Sequence, residues 1–218
     1  MERSMKKNYV ITIARGYGSG GKTLGKMLAE KLNIHYYDRE LMRLASDKSG
    51  ISEEIFVQAD EKVKQSLLDK IIRRKPETAT LKPDSDDFLS HDNLFRYQAE
   101  VIRELAEEES CVIVGRCADY ILKDYDNVIK IYVHASREDC LERLKGMMSG
   151  TEKELEKMIQ TRDKYRAEYY KYHTGREWTD AGNYDLCLNS EKMDFDTCVK
   201  IIVDYLKIRL GEDILGEV

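Results

Sequence analysis

The residues Gly16-Tyr17-Gly18-Ser19-Gly20-Gly21-Lys22-Thr23 carry the strongest chemical signal in the chain. Their spacing, a Gly, four residues and then Gly-Lys-Thr, is that of a phosphate-binding P-loop. A triphosphate tail is a row of anionic oxygens, and glycines let a backbone turn several N–H groups onto one of them. Gly16, Gly18, Gly20 and Gly21 suit that task, with the Ser19 hydroxyl as a further donor. A helix beginning at the loop adds its positive end. In such a loop Lys22 reaches the β- and γ-phosphates, and the Thr23 hydroxyl ligates Mg²⁺. The competing account is a glycine-rich strand-to-helix turn that holds no ligand.

Further charged residues stand where an anion could meet them. Asp38-Arg39-Glu40 and Arg43 follow a short apolar segment, and Gly115-Arg116 follows a longer one. Arg162 and Arg166 are one helical turn apart and project together from a stripe of apolar and aromatic residues. A guanidinium makes a planar, bidentate contact to phosphate, and an ion pair with a protein carboxylate is the alternative for each. Asp38 serves equally well as a helix cap. The four histidines have no metal-ligand spacing and read as polar or packing residues.

The elements that must position these groups follow from periodicity. Tyr9 to Ala14, Asn33 to Tyr37, Cys111 to Val114, Val128 to Val133 and Tyr184 to Leu188 read as five strands. The unbroken apolar run Cys111 to Val114 suits a central parallel strand buried on both faces. Leu24, Met27, Leu28 and Leu32 mark the helix after the loop, and Leu41 to Ala45 a short one. Ser52 opens a helix carrying Ile55, Ala59, Val63, Leu67 and Ile71, and a polar loop follows around Arg73 to Asp87. Asp92 is the expected cap of the next helix, whose acidic end Glu107 to Glu109 should be solvated. Ser136 and Asp139, then Thr151 and Glu154, have capping-box spacing. Asp194 starts the last helix. Strands alternating with helices around a P-loop predict an α/β fold whose polar strand ends open into one crevice.

With 218 residues the chain can build one sizeable core. A net charge of −5 argues against a nucleic-acid partner bound by overall charge. There is no apolar run near the ~18 residues of a membrane span. The five cysteines form no Cys-x-x-Cys pair and read as buried free thiols, which points to a cytoplasmic setting.

The chain resembles cytidylate kinases, and more closely the bacterial cytidylate kinase-like group. The resemblance rests on Ile11 to Lys22, Tyr36 to Leu41, Val112 to Leu122, Thr161 to Arg166 and Tyr184 to Ser190, and spans roughly Tyr9 to Leu206. It implies a P-loop NTPase fold: a five-stranded parallel sheet flanked by helices, in one domain over residues 1–218. A helical acceptor-binding insertion would occupy residues 51–91, and a short lid residues 146–166. It implies ATP- and Mg²⁺-dependent phosphoryl transfer to a nucleoside monophosphate, CMP or dCMP. Gly115-Arg116 matches the family's Gly-Arg whose arginine contacts the acceptor phosphate, and Arg162 matches the first arginine of its Arg-Asp segment. Lys22, Arg116, Arg162 and Arg166 are thus the expected catalytic residues, and Asp38, Arg39, Arg43 and Arg116 the expected acceptor contacts. The chain departs where the family reads base and sugar. It has Asp38-Arg39-Glu40 for Asp-Ser-Gly, Cys117 for Asp, and Arg166 with Tyr169 for a nucleoside-holding Asp-x-x-Arg. A kinase for another small molecule and a nucleotide sensor without turnover are the alternatives. The oligomeric state is left open.

Overall fold

The computed structural model describes residues 8–61, 80 and 87–211. Five strands, β1 (Val10–Arg15), β2 (His35–Tyr37), β3 (Cys111–Val114), β4 (Val128–His134) and β5 (Leu186–Asn189), form one sheet in the order β2-β3-β1-β4-β5. Every pairing is parallel, and β1 sits between β3 and β4 with Val10 opposite both Cys111 and Val128. β1 thus ends in mid-sheet, where the P-loop leaves it.

Period-two alternation distributes the core. Ile11 and Ile13, with Val112 and Val114, face helices α1 (Gly21–Leu32) and α8 (Phe195–Leu210). Val10, Cys111 and Ile113 face the opposite layer, which holds α2 (Glu40–Ser49), α4 (His91–Glu108) and α5 (Ala118–Ile121). Burying each such Ile or Leu contributes roughly 1.5–3 kcal/mol. That layer also takes in Phe56 from α3 (Glu53–Glu61), which packs near α2. The rest of the expected insertion, residues 62–79 and 81–86, lies outside the described residues, with the stripe from Val63 onward and the Arg73-Arg74-Lys75 cluster.

Local signals place the helix ends. Ser136 caps α6 (Arg137–Met147), and Thr151 forms a full capping box with Glu154 at α7 (Glu152–Thr174). Asp194 caps α8 through the Thr197 N–H. α4 differs from expectation: Ser90, not Asp92, is its cap, accepting from the Asn93 N–H, while Asp92 accepts from the Tyr172 hydroxyl at 2.6 Å. The acidic end of α4 is also not simply solvated, because Glu109 accepts from the Tyr37 hydroxyl at 2.5 Å and pairs with His35. His173 packs as expected, stacked on Phe95 with ring centroids 4.0 Å apart. All five cysteines are free, but Cys187 is exposed on edge strand β5 rather than buried. Among the described residues no helix is long and apolar enough to cross a membrane.

Candidate active site

The sheet's carboxyl edge opens into a cleft of about 1020 Å³. The P-loop enters it between β1 and α1, and its sharp turns need glycine at two positions. Gly18 and Gly20 have φ of 84° and 81°. A Cβ on Gly18 would stand 2.9 Å from the Cys140 carbonyl oxygen.

The loop is held from both sides. The buried Ser19 hydroxyl donates to the Gly16 carbonyl at 2.9 Å and braces the loop from within. The Ser19 carbonyl accepts from Arg143 at 2.8 Å and from Ser190 at 2.7 Å. Arg143 also reaches the Ser190 carbonyl at 2.5 Å and Asp139 at 2.7 Å. On the other side α7 meets the start of the loop. Asp163 accepts the Tyr17 N–H at 2.7 Å, and Arg166 donates to the Arg15 carbonyl at 3.0 Å.

Lys22 is half-exposed at the cleft floor and pairs with Asp38 at 2.6 Å. Asp38 is buried at the end of β2, with the Arg15 guanidinium 3.9 Å away. Burial alone would raise its pKa, but the Lys22 hydrogen bond and the charges of Arg15, Lys22 and Arg116 outweigh this and lower it. Asp38 therefore does not cap α2, whose N-terminal boundary residue Arg39 makes no capping bond. Thr23 and Arg39 are exposed on the cleft wall. Arg43 is not on that wall: it pairs with Glu40 and Asp47 at 2.9 and 3.1 Å on the outer face of α2. Its spacing from Asp38 suggested the crevice, but the rotation of α2 turns it to solvent.

Arg116 emerges from a strained turn. Gly115, Arg116 and Cys117 have successive φ values of 79°, 60° and 54°. A left-handed conformation costs a residue with a Cβ about 1–2 kcal/mol, and such strain persists where the surroundings over-determine it. Here the Gly115 N–H is held by the Ile13 carbonyl and the Ala118 N–H by the Gly115 carbonyl, at 3.0 and 3.1 Å. The turn delivers Arg116 to the cleft beside Asp38.

The two arginines of α7 both line the cleft but divide there. Arg162 is exposed, whereas Arg166 is half-buried against the Tyr17 ring and the end of β1. Beyond them the wall turns aromatic, with Tyr165, Tyr169, Tyr170 and Trp178 facing Met42 and Val57. Asp119, buried behind Cys117, accepts from the Tyr170 hydroxyl at 2.6 Å, and burial raises its pKa. Sequence reasoning reached Asp163 only as part of the Arg-Asp segment, without a role of its own, and gave Asp119 and the aromatic wall no place in the cleft. The contacts that define the two carboxylates, to Tyr17 and Tyr170, join positions 146 and 51 apart in the chain.

Comparison with known proteins agrees with this architecture. The model of the cytidylate kinase-like family matches residues 10–192. A cytidylate kinase from Sulfurisphaera tokodaii is 24% identical over 208 residues, covering 94% of this chain and 99% of the relative. The crystal structure of an uncharacterized protein from Eubacterium ventriosum is 27% identical with a TM-score of 0.69, covering 93% of this chain and all of the other. The shikimate kinase from Bacteroides thetaiotaomicron, 16% identical with a TM-score of 0.53 over 91% of this chain and 98% of its own, shares the fold.

Proposed function

Because the chain belongs to the cytidylate kinase-like family and has a P-loop kinase fold, we propose that it moves the γ-phosphoryl group of ATP to a nucleoside monophosphate, CMP or dCMP. The observation that carries this reading is convergence. Lys22 and Thr23 from the loop, Arg116 from the end of β3 and Arg162 from α7 all open into one cleft. Such a cleft does most of its work by positioning and charge neutralisation, since phosphoryl transfer asks little covalent chemistry of the protein.

The loop amides and Lys22 hold the donor phosphates. Arg116 clamps the acceptor phosphate, and Arg162 neutralises charge on the transferring group. The acceptor oxygen is already anionic at neutral pH, so no general base is required. Thr23 offers a hard hydroxyl oxygen on the cleft wall beside Lys22, a donor that suits Mg²⁺ completed by phosphate and water. Mg²⁺ held there would supply neutralisation of phosphate charge. The Lys22–Asp38 pair means that the donor phosphate competes with Asp38 for the lysine.

That same pair favours one second reading. A carboxylate beside the P-loop lysine on the acceptor side could take the proton of a hydroxyl acceptor. The test is ADP formation from ATP and Mg²⁺ with CMP, dCMP, UMP, AMP and a set of small polyols. Turnover with CMP or dCMP supports the first reading. No diphosphate from CMP, dCMP or UMP rejects it, and turnover with a polyol that is lost in Asp38→Asn supports the second.

A further inference from the structure

We propose that Asp163 is a positioning residue for phosphoryl transfer, locking the lid helix α7 to the first turn of the P-loop so that the loop amides and Arg162 keep one mutual geometry. This rests on the kinase reading above but assigns a role to a residue outside the loop and outside the expected clamp.

The contacts are concentrated on two turns of α7. Asp163 Oδ1 accepts the Tyr17 N–H at 2.7 Å, and Arg166 Nη1 lies 3.4 Å from the same oxygen. Arg166 also donates to the Arg15 carbonyl at 3.0 Å, and its guanidinium lies 5.4 Å from the centre of the Tyr17 ring. The Tyr17 hydroxyl reaches back to Met158 Sδ at 3.3 Å. Met158, Asp163 and Arg166 thus grip Arg15 and Tyr17, on either side of the loop's first glycine. Arg162 stands on the same stretch of helix with its side chain in the cleft.

The chemistry favours a carboxylate at this point. One oxygen satisfies a backbone N–H and attracts a guanidinium at the same time, so loop and helix share one anchor. An amide could accept the N–H but could not hold Arg166 by charge. The middle of the loop is clamped separately, through the Ser19 carbonyl to Arg143 and Ser190. The Asp163 anchor therefore ties α7, which begins at the lid turn, to a loop N–H, with Arg166 and Met158 making the flanking contacts. Its burial is unfavourable: desolvation raises its pKa despite the lowering effect of the Tyr17 N–H, Arg166 and Arg15. A carboxylate kept at such a place for stability alone would be better replaced by a neutral group.

The test compares wild type with Asp163→Asn, Asp163→Glu and Asp163→Ala. The thermal midpoint of Asp163→Asn without ligand should lie within about 3 °C of wild type. Its kcat should fall about 10–100-fold, as expected for a misplaced clamp, with a higher KM for ATP. KM for the acceptor should stay within about twofold, because the Arg116 side of the cleft is untouched. Asp163→Glu should recover part of the loss seen in Asp163→Ala. Amide hydrogen exchange with Mg²⁺ and ADP supplies a readout independent of the acceptor. Nucleotide should protect residues 16–23 and 152–166 together in wild type, but only 16–23 in Asp163→Asn. Wild-type kcat and ATP KM in Asp163→Asn overturn the proposal, as does a loss of activity that matches the unfolded fraction. If wild type phosphorylates no nucleoside monophosphate, the functional reading fails while the exchange experiment still decides the role of Asp163. Joint protection that survives in Asp163→Asn overturns it.

Discussion

The two halves of the cleft are held by different kinds of bond. On the P-loop side the backbone is the working part and side chains serve it. Arg143, Ser190, Asp163 and Arg166 all reach main-chain groups of Arg15, Tyr17 or Ser19. On the opposite side the side chains themselves face the cavity: Asp38, Arg116 and the aromatic wall of α7 and Trp178. A backbone nest recognises phosphate whatever else the substrate carries. A wall of side chains can change its chemistry by substitution without disturbing the sheet. The departures that the family resemblance implied, such as Cys117 in place of Asp, fall on the second.

Substitutions on each side test that contrast. Lys22→Met removes the ammonium of the P-loop and should lower kcat about 10²–10³-fold. A coupled ADP assay reads this, and unchanged turnover would remove Lys22 from the mechanism. Arg116→Lys keeps the charge but loses the planar fork. It should raise KM for the acceptor about tenfold or more while KM for ATP stays near wild type. An equal effect on both constants would blur the division between the halves. Gly18→Ala forces a Cβ against Cys140 at a φ of 84°. It should cost about 2–3 kcal/mol in denaturant unfolding, with ATP affinity lost first. Ser190→Ala leaves the Ser19 carbonyl to Arg143 and should cost about 1 kcal/mol, with KM for ATP rising and KM for the acceptor constant.

The smallest effect concerns acid. Asp38 has a lowered pKa in the folded protein, so its stabilisation is present above the ordinary carboxylate value and is lost as pH falls through the lowered one. Asp163 has a raised pKa, so it costs stability at neutral pH, and that cost disappears as pH falls toward the ordinary value. Thermal midpoints between about pH 3 and pH 7 should therefore fall less steeply on the acid side in Asp38→Asn than in wild type. In Asp163→Asn the neutral-pH penalty should be absent. Parallel curves for both variants would show that neither carboxylate is coupled to folding as its surroundings imply.

Local pattern sufficed for much of this. The five strands, the loop, the capping boxes and the apolar stripes are periodic or adjacent in sequence, so neighbouring residues specify them with little help from the rest of the chain. The site was only partly legible. Lys22 and Thr23 follow from the loop, and Arg116 from its place after a buried strand. Arg43 shared that logic and failed, because the rotation of α2 turned it to solvent. Asp163 was legible only as part of the Arg-Asp segment, and the roles of Asp163 and Asp119 were not, because their partners, Tyr17 and Tyr170, lie 146 and 51 positions away.

By itself the sequence determined that a phosphate cradle follows the first strand of a parallel α/β sheet, since glycine spacing and period-two alternation are local properties. Only the tertiary structure decided which charges meet. It set Asp38 on Lys22 and Asp163 on the loop backbone, and it separated Arg166 from Arg162. The physical reason is that an ion pair depends on distance and burial, and both are set by how distant segments pack.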